Sequence, residues 1–140
     1  MKRSVLTDAR GVPLGIAISG ANTHDQKLVA ETLASIPVRR PRRRGGRKQN
    51  LCLDKGYIGE PVQRLVKRCG YQPHGPKRGE APKARRKGQR ARRWVVERAH
   101  SWTNRARRLL TRWEKKAANY LAFVHLQFAY VALRAAGVLG

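Results

Sequence analysis

Apolar residues recur along the chain in short blocks, separated by loops rich in Gly, Pro and cations. Residues 4–7 and 14–19 read as two short strands. Between them lies Asp8-Ala9-Arg10-Gly11, with Gly where a hairpin turn needs a positive φ. Pro13 enters the second strand, where a missing N–H is tolerated. Residues 20–23 form a loop, and Thr23 or Asp25 can cap the segment that follows. Leu28, Val29, Leu33 and Ile36 share one helical face, and Pro37 ends that helix.

Leu51-Cys52-Leu53 is an apolar run between Asn50 and Asp54. It has the pattern of a strand buried on both faces, as in a parallel or central position. Glu60-Pro61 opens a helix with Val62, Leu65, Val66 and Cys69 as its inner stripe, and Gly70 stops it. Residues 71–74 read as a further short strand. A long helix is predicted over about 94–113, with Val95, Ala99, Trp102, Ala106, Leu109, Leu110 and Trp113 on one face. A last helix covers about 117–136, with Leu121, Val124, Phe128, Val131 and Ala135 inward. Strands alternating with helices predict an α/β or α+β layered domain, and no internal repeat is visible.

Charge changes this picture most. The chain of 140 residues carries 32 Lys and Arg against 8 Asp and Glu, a net charge of +24. That excess argues against a neutral metabolic enzyme and for a polyanion partner, nucleic acid above all. Two stretches concentrate the cations. Residues 39–48 hold Arg39, Arg40, Arg42, Arg43, Arg44, Arg47 and Lys48. Residues 76–93 hold nine more, among them Arg85, Arg86, Lys87 and Arg93. Such loops contact phosphates, which gives salt-dependent affinity without sequence choice.

Cys52 and Cys69 are too few for a disulfide framework and read as reduced core residues. No signal peptide follows the basic start. The apolar tail is broken by Asn119, His125, Gln127 and Arg134, so a packed helix fits better than a membrane span, and the expected location is cytoplasmic. His24 and Asp25 read as a helix start, with a place near an active site as the alternative. His100 and His125 read as packing or surface residues. With so few acids, each one is informative. Asp54 closes the apolar strand, where open α/β sheets gather ligands, although Asp also favours plain turns. Glu97 lies opposite the apolar stripe of its helix and is the one acid from position 81 to 113. It either pairs with Arg93 on the surface, worth about 0.2–0.5 kcal/mol, or holds a divalent ion on a DNA-facing surface. Magnesium takes hard oxygen ligands, often one or two carboxylates together with substrate phosphates, so Asp54 and Glu97 form a candidate pair.

Three stretches resemble the DDE transposases of bacterial insertion sequences, closest to the insertion-sequence-five family. They are residues 7–29, residues 51–71 with D-K-G-Y after an apolar strand, and residues 92–126 with R-W-V-V-E-R-x-x-x-W. The resemblance implies an RNase H-like fold. It implies two aspartates and one glutamate holding two Mg2+ or Mn2+ ions, cleavage at transposon ends, and joining of the freed 3′ hydroxyl to target DNA. By motif, Asp54 corresponds to the second aspartate and Glu97 to the glutamate. Arg93 and Arg98 flank that glutamate near DNA phosphates, Lys55 joins the DNA-facing set, and Trp102 belongs to the core. The family's first aspartate lies on a strand upstream of the hairpin, before Met1. Asp8, its nearest rival, sits in the hairpin turn. The expected protein is therefore an RNase H-like catalytic domain, amino-terminally truncated, with carboxy-terminal helices. Double-stranded DNA is the partner, an upstream transposase segment comes from a frameshift product or a separate chain, and a homodimer is possible. The alternative is an inactive remnant or a non-catalytic basic nucleic-acid-binding protein.

Overall fold

The computed structural model describes residues 1–41, 44–46, 48–57, 59–75, 93–111 and 113–139, with backbone alone for Arg44, Lys55 and Arg93. The chain opens with β1 (Lys2–Thr7) and β2 (Pro13–Ser19), paired antiparallel with Val5 opposite Ile16. Gly11 takes φ +88°, and the Asp8 carboxylate accepts the N–H groups of Arg10 and Val12 at 2.8 Å each. The turn thus satisfies its own donors, as its sequence predicts. Then come α1 (Asp25–Ala34), β3 (Gln49–Cys52), α2 (Glu60–Arg68) and β4 (Tyr71–His74). β3 and β4 pair in parallel, with α2 as the crossover between them. The described strands thus form two two-stranded sheets, and β1 and β3 each have one hydrogen-bonded neighbour among them.

Side-chain alternation along β1 sends its residues into two cores. Leu6 packs with Val29, Leu51, Val62, Val66 and Tyr71, the core under α1 and α2. Val5 joins Ile16, Leu109, Tyr120, Val124 and Phe128 on the opposite face. Beside β1 packs α3 (Arg93–Asn104), and that second core is closed by α4 (Arg107–Leu110) and α5 (Ala117–Ala135). On α5, Tyr120, Val124, Phe128 and Val131 recur at helical spacing and are buried. No helix among the described residues is long and apolar enough to cross a membrane.

Several expectations need correction, among them the inward place given to Ala135, which is exposed. The single helix over 94–113 is two helices, because Ala106 adopts an extended ψ of 100°. The break resets the helical face, so Leu109 is buried while Leu110 is 60% and Trp113 75% exposed. The segment 51–53 is not buried on both faces: Leu51 is buried and Cys52 exposed, since β3 is covered on one side. Both cysteines are exposed, Cys69 because α2 ends at Arg68 and leaves it at the cap beyond the stripe that buries Val62 and Val66.

The hairpin meets α1 at unusually close range. A Cβ on Gly15 would lie 2.7 Å from Ser35 Oγ and 2.9 Å from the Thr32 carbonyl oxygen. Ser35 Oγ in turn accepts the Ile16 N–H at 2.8 Å. Gly15→Ala forces β2 and α1 apart and should cost about 1–3 kcal/mol in urea denaturation. Gly20→Ala, with nothing within 4 Å of the new methyl, should leave the midpoint nearly unchanged. Equal losses in both variants would contradict this packing.

Candidate active site

A cleft of about 620 Å3 runs between β1 and β3. One wall is residues 2–6 of β1, and the facing wall is Leu51, Cys52, Leu53 and Asp54. α1 contributes Asp25, Val29, Thr32 and Leu33, and α3 contributes Val96, Glu97 and His100. Asp54 and Glu97, from elements far apart in sequence, therefore line one cleft. Both are solvent-exposed and both have interaction partners.

The D-K-G-Y stretch has a local physical reason. Leu53 N donates to the His74 carbonyl at 2.7 Å, which extends the β3–β4 ladder to the residue before Asp54. The chain then turns, with Tyr57 N donating to the Asp54 carbonyl at 2.9 Å. Gly56 lets the Asp25 carboxylate come close, since a Cβ there would lie 2.8 Å from Asp25 Oδ2. The Tyr57 hydroxyl donates to Ser4 Oγ on β1 at 3.1 Å. Thr32, itself buried, joins Ser4 Oγ at 2.8 Å and the Leu28 carbonyl at 2.6 Å. Tyr57 therefore ties the Asp54 turn to the far wall of the cleft.

The hairpin turn sets the position of α3. A Cβ on Gly11 would meet the Val95 carbonyl oxygen at 3.0 Å, so turn and helix touch backbone to backbone. Arg98 donates to the Arg10 carbonyl at 3.4 Å and lies 4.7 Å from the Trp102 ring centroid. Trp102 is half-buried rather than fully enclosed, with this cation over its face. Asp8 spends its carboxylate on the turn and lies outside the cleft lining.

Asp25 lines the cleft, in keeping with the alternative that its position offered beside a helix start, while Tyr57 carried no assigned role. Asp25 lies 3.1 Å from Lys2 Nζ and lines the cleft, so three of the chain's eight acids face one space. The signal was the short step from His24-Asp25 to the helix, which reads equally well as a cap. Of the proposed DNA-facing cations, Arg39 and Lys48 are exposed, and Arg40 lies 3.9 Å over the Tyr71 ring. Arg42, Arg43, Arg47, Arg85, Arg86 and Lys87 lie outside the described residues, as do the side chains of Arg44, Lys55 and Arg93. Among the described residues no group of three or more His, Cys, Asp or Glu is arranged to hold a metal ion.

Comparison with known proteins settles the family. The profile of the family described as "Transposase DDE domain" matches residues 1–132. The chain belongs to the DDE transposase family. It is 34% identical over 127 residues to the "Putative transposase for insertion sequence element IS402" of Burkholderia cepacia, covering 89% of this chain and 59% of that protein. This DDE domain thus spans less than two thirds of that relative's length. No solved structure matches the chain.

His100 reports on the cleft of this DDE domain. Burial, and then the nearby Arg3 guanidinium, hold its imidazole below the ordinary value of 6.5. The unfolded chain gains a proton near that value while the folded chain resists it. The stability from neutral His100 is therefore complete above about pH 6.5 and is lost as pH falls below it. Denaturant midpoints should drop between pH 7.5 and 5.5 more steeply in the wild type than in His100→Gln. Parallel profiles would contradict this environment for His100.

Proposed function

We propose that this chain is part of a metal-dependent DNA transposase of RNase H-like fold, which cleaves insertion-sequence ends and joins them to target DNA. The observation that carries the reading is the shared cleft of Asp54 and Glu97 in a member of the DDE family. Both are hard oxygen donors on facing elements, which suits a magnesium or manganese ion that also takes phosphate oxygens. Such an ion, when bound, supplies Lewis-acid activation of the attacking oxygen and stabilisation of the leaving one. The chain's own work is to hold the two carboxylates at fixed separation. Tyr57 and Gly56 do this for Asp54, and Gly11 and Arg98 do it for α3. The basic stretches 39–48 and 76–93 supply phosphate contacts and register.

Asp25 is paired with Lys2, which leaves two carboxylates, fewer than the family uses, and the cleft lies between two strands that each have one partner among those described. We assign the missing carboxylate to a strand from a preceding transposase segment, seated between β1 and β3 and paired to both edges. On this reading the isolated chain binds DNA but does not cut it. A second copy joins at the paired transposon ends.

The test is cleavage of end-containing DNA by this chain fused to, or mixed with, the preceding segment of a related transposase. Asp54→Asn and Glu97→Gln should each lower the cleavage rate by orders of magnitude while DNA affinity stays within a few-fold. Normal cutting by both variants would overturn the assignment. If no metal-dependent cutting arises with any preceding segment, the alternative of a purely binding module stands. A second expectation concerns the binding itself. The logarithm of DNA affinity should fall linearly and steeply with the logarithm of salt concentration, and neutralising cations in 39–48 should flatten that slope. An unchanged slope would remove those cations from the interface.

A further inference from the structure

The cleft holds one cation whose environment does not match its charge. Arg3 on β1 lines the cleft beside His100 and Glu97. Its Nη1 is shielded from solvent and has no hydrogen-bond partner. Among the described residues no ion pair joins this guanidinium to an acid, although its neighbour Lys2 is paired with Asp25 at 3.1 Å. Arg3 as a whole is half-buried, so its guanidinium is partly desolvated while one of its donors goes unmatched, which is costly. Part of the desolvation for an incoming anion has therefore already been met by folding.

We propose that Arg3 is a phosphodiester-binding residue of the cleft, receiving a nucleic-acid phosphate next to Asp54 and Glu97. It rests on the reading of this cleft as DNA-acting, and extends that reading to a residue no family motif or cationic loop points to. The planar guanidinium fork matches two oxygens of one phosphate, which an ammonium cannot do. The need for such a group follows from the acids. Asp25, Asp54 and Glu97 line the same space and repel a phosphate, so a fixed cation among them offsets that repulsion. His100 does not supply it, since its imidazole is held toward the neutral form in part by Arg3 itself. A phosphate is favoured over the carboxylate of another protein segment, because an excess of 32 cations over 8 acids selects a polyanion.

The test is thermal melting of the whole chain in EDTA at fixed ionic strength, with and without inorganic phosphate or dimethyl phosphate. Arg3→Met removes the charge and keeps an unbranched apolar stem. In plain buffer it should melt a few degrees above the wild type, because the unmatched charge is gone. Phosphate and dimethyl phosphate should then raise its melting temperature less than they raise that of the wild type. Arg68→Met, a change at an exposed cation outside the cleft, should reproduce neither effect. An Arg3→Met chain that melts lower or does not fold would show that the guanidinium serves the fold, and would overturn the proposal. An equal phosphate response in Arg3→Met and wild type would assign the buried charge to a protein carboxylate instead, and would overturn it as well. No metal and no cleavage enter this experiment, so its failure is separable from failure of the metal-site reading.

Discussion

The β1–β2 hairpin has an apolar set on each face, and both must be buried at once. That requirement organises everything else in the structure. Leu6 goes to the core with Val29, Leu51 and Val66, and Val5 and Ile16 go to the core with Leu109, Val124 and Phe128. One layer is α1 with the β3–α2–β4 unit, and the other is α3 with α4 and α5. Because the hairpin is common to both, the strand end that bears Asp54 and the helix that bears Glu97 are held by the same scaffold. The cleft is the space left where β1 and β3 do not meet.

Two glycines and a tyrosine convert that layering into a site. Gly11 brings the hairpin turn against α3, and Gly56 admits the Asp25 carboxylate beside the Asp54 turn. Tyr57 spans the cleft to Ser4. None of these groups need do chemistry, yet each fixes a wall relative to the other. A cleft lined by three carboxylates in a chain of net charge +24 suits a ligand that brings both negative charge and a divalent cation.

Much of this was legible in the sequence because local rules govern it. The Asp8–Gly11 turn, the strands around it, α1, α2 and α5 follow from turn chemistry and from apolar spacing. The placement of Asp54 at a strand end and Glu97 away from an apolar stripe also follows from spacing. What escaped depends on tertiary contacts. The break at Ala106 leaves no Gly or Pro as a marker, and it moved Leu110 and Trp113 outward. Cys52 and Cys69 read as core because apolar neighbours surround them in sequence, while β3 is covered on one face alone. The packing of Arg40 over the Tyr71 ring and of Arg98 over the Trp102 ring is likewise set by tertiary contacts that spacing does not announce. Arg3 gave no signal at all, since one Arg among so many is informative solely by its burial.

The central claim is the proposal that Asp54, after β3, and Glu97, on α3, act on one shared ion. Paramagnetic broadening of backbone amide signals by trace Mn2+ tests it most directly, since the effect falls steeply with distance from the ion. The account predicts that signals at the Asp54 turn and on α3 around Glu97 broaden together, at the same low Mn2+ concentration, and that Asp54→Asn relieves both. Broadening confined to one wall, or spread evenly over the exposed acids, would contradict it.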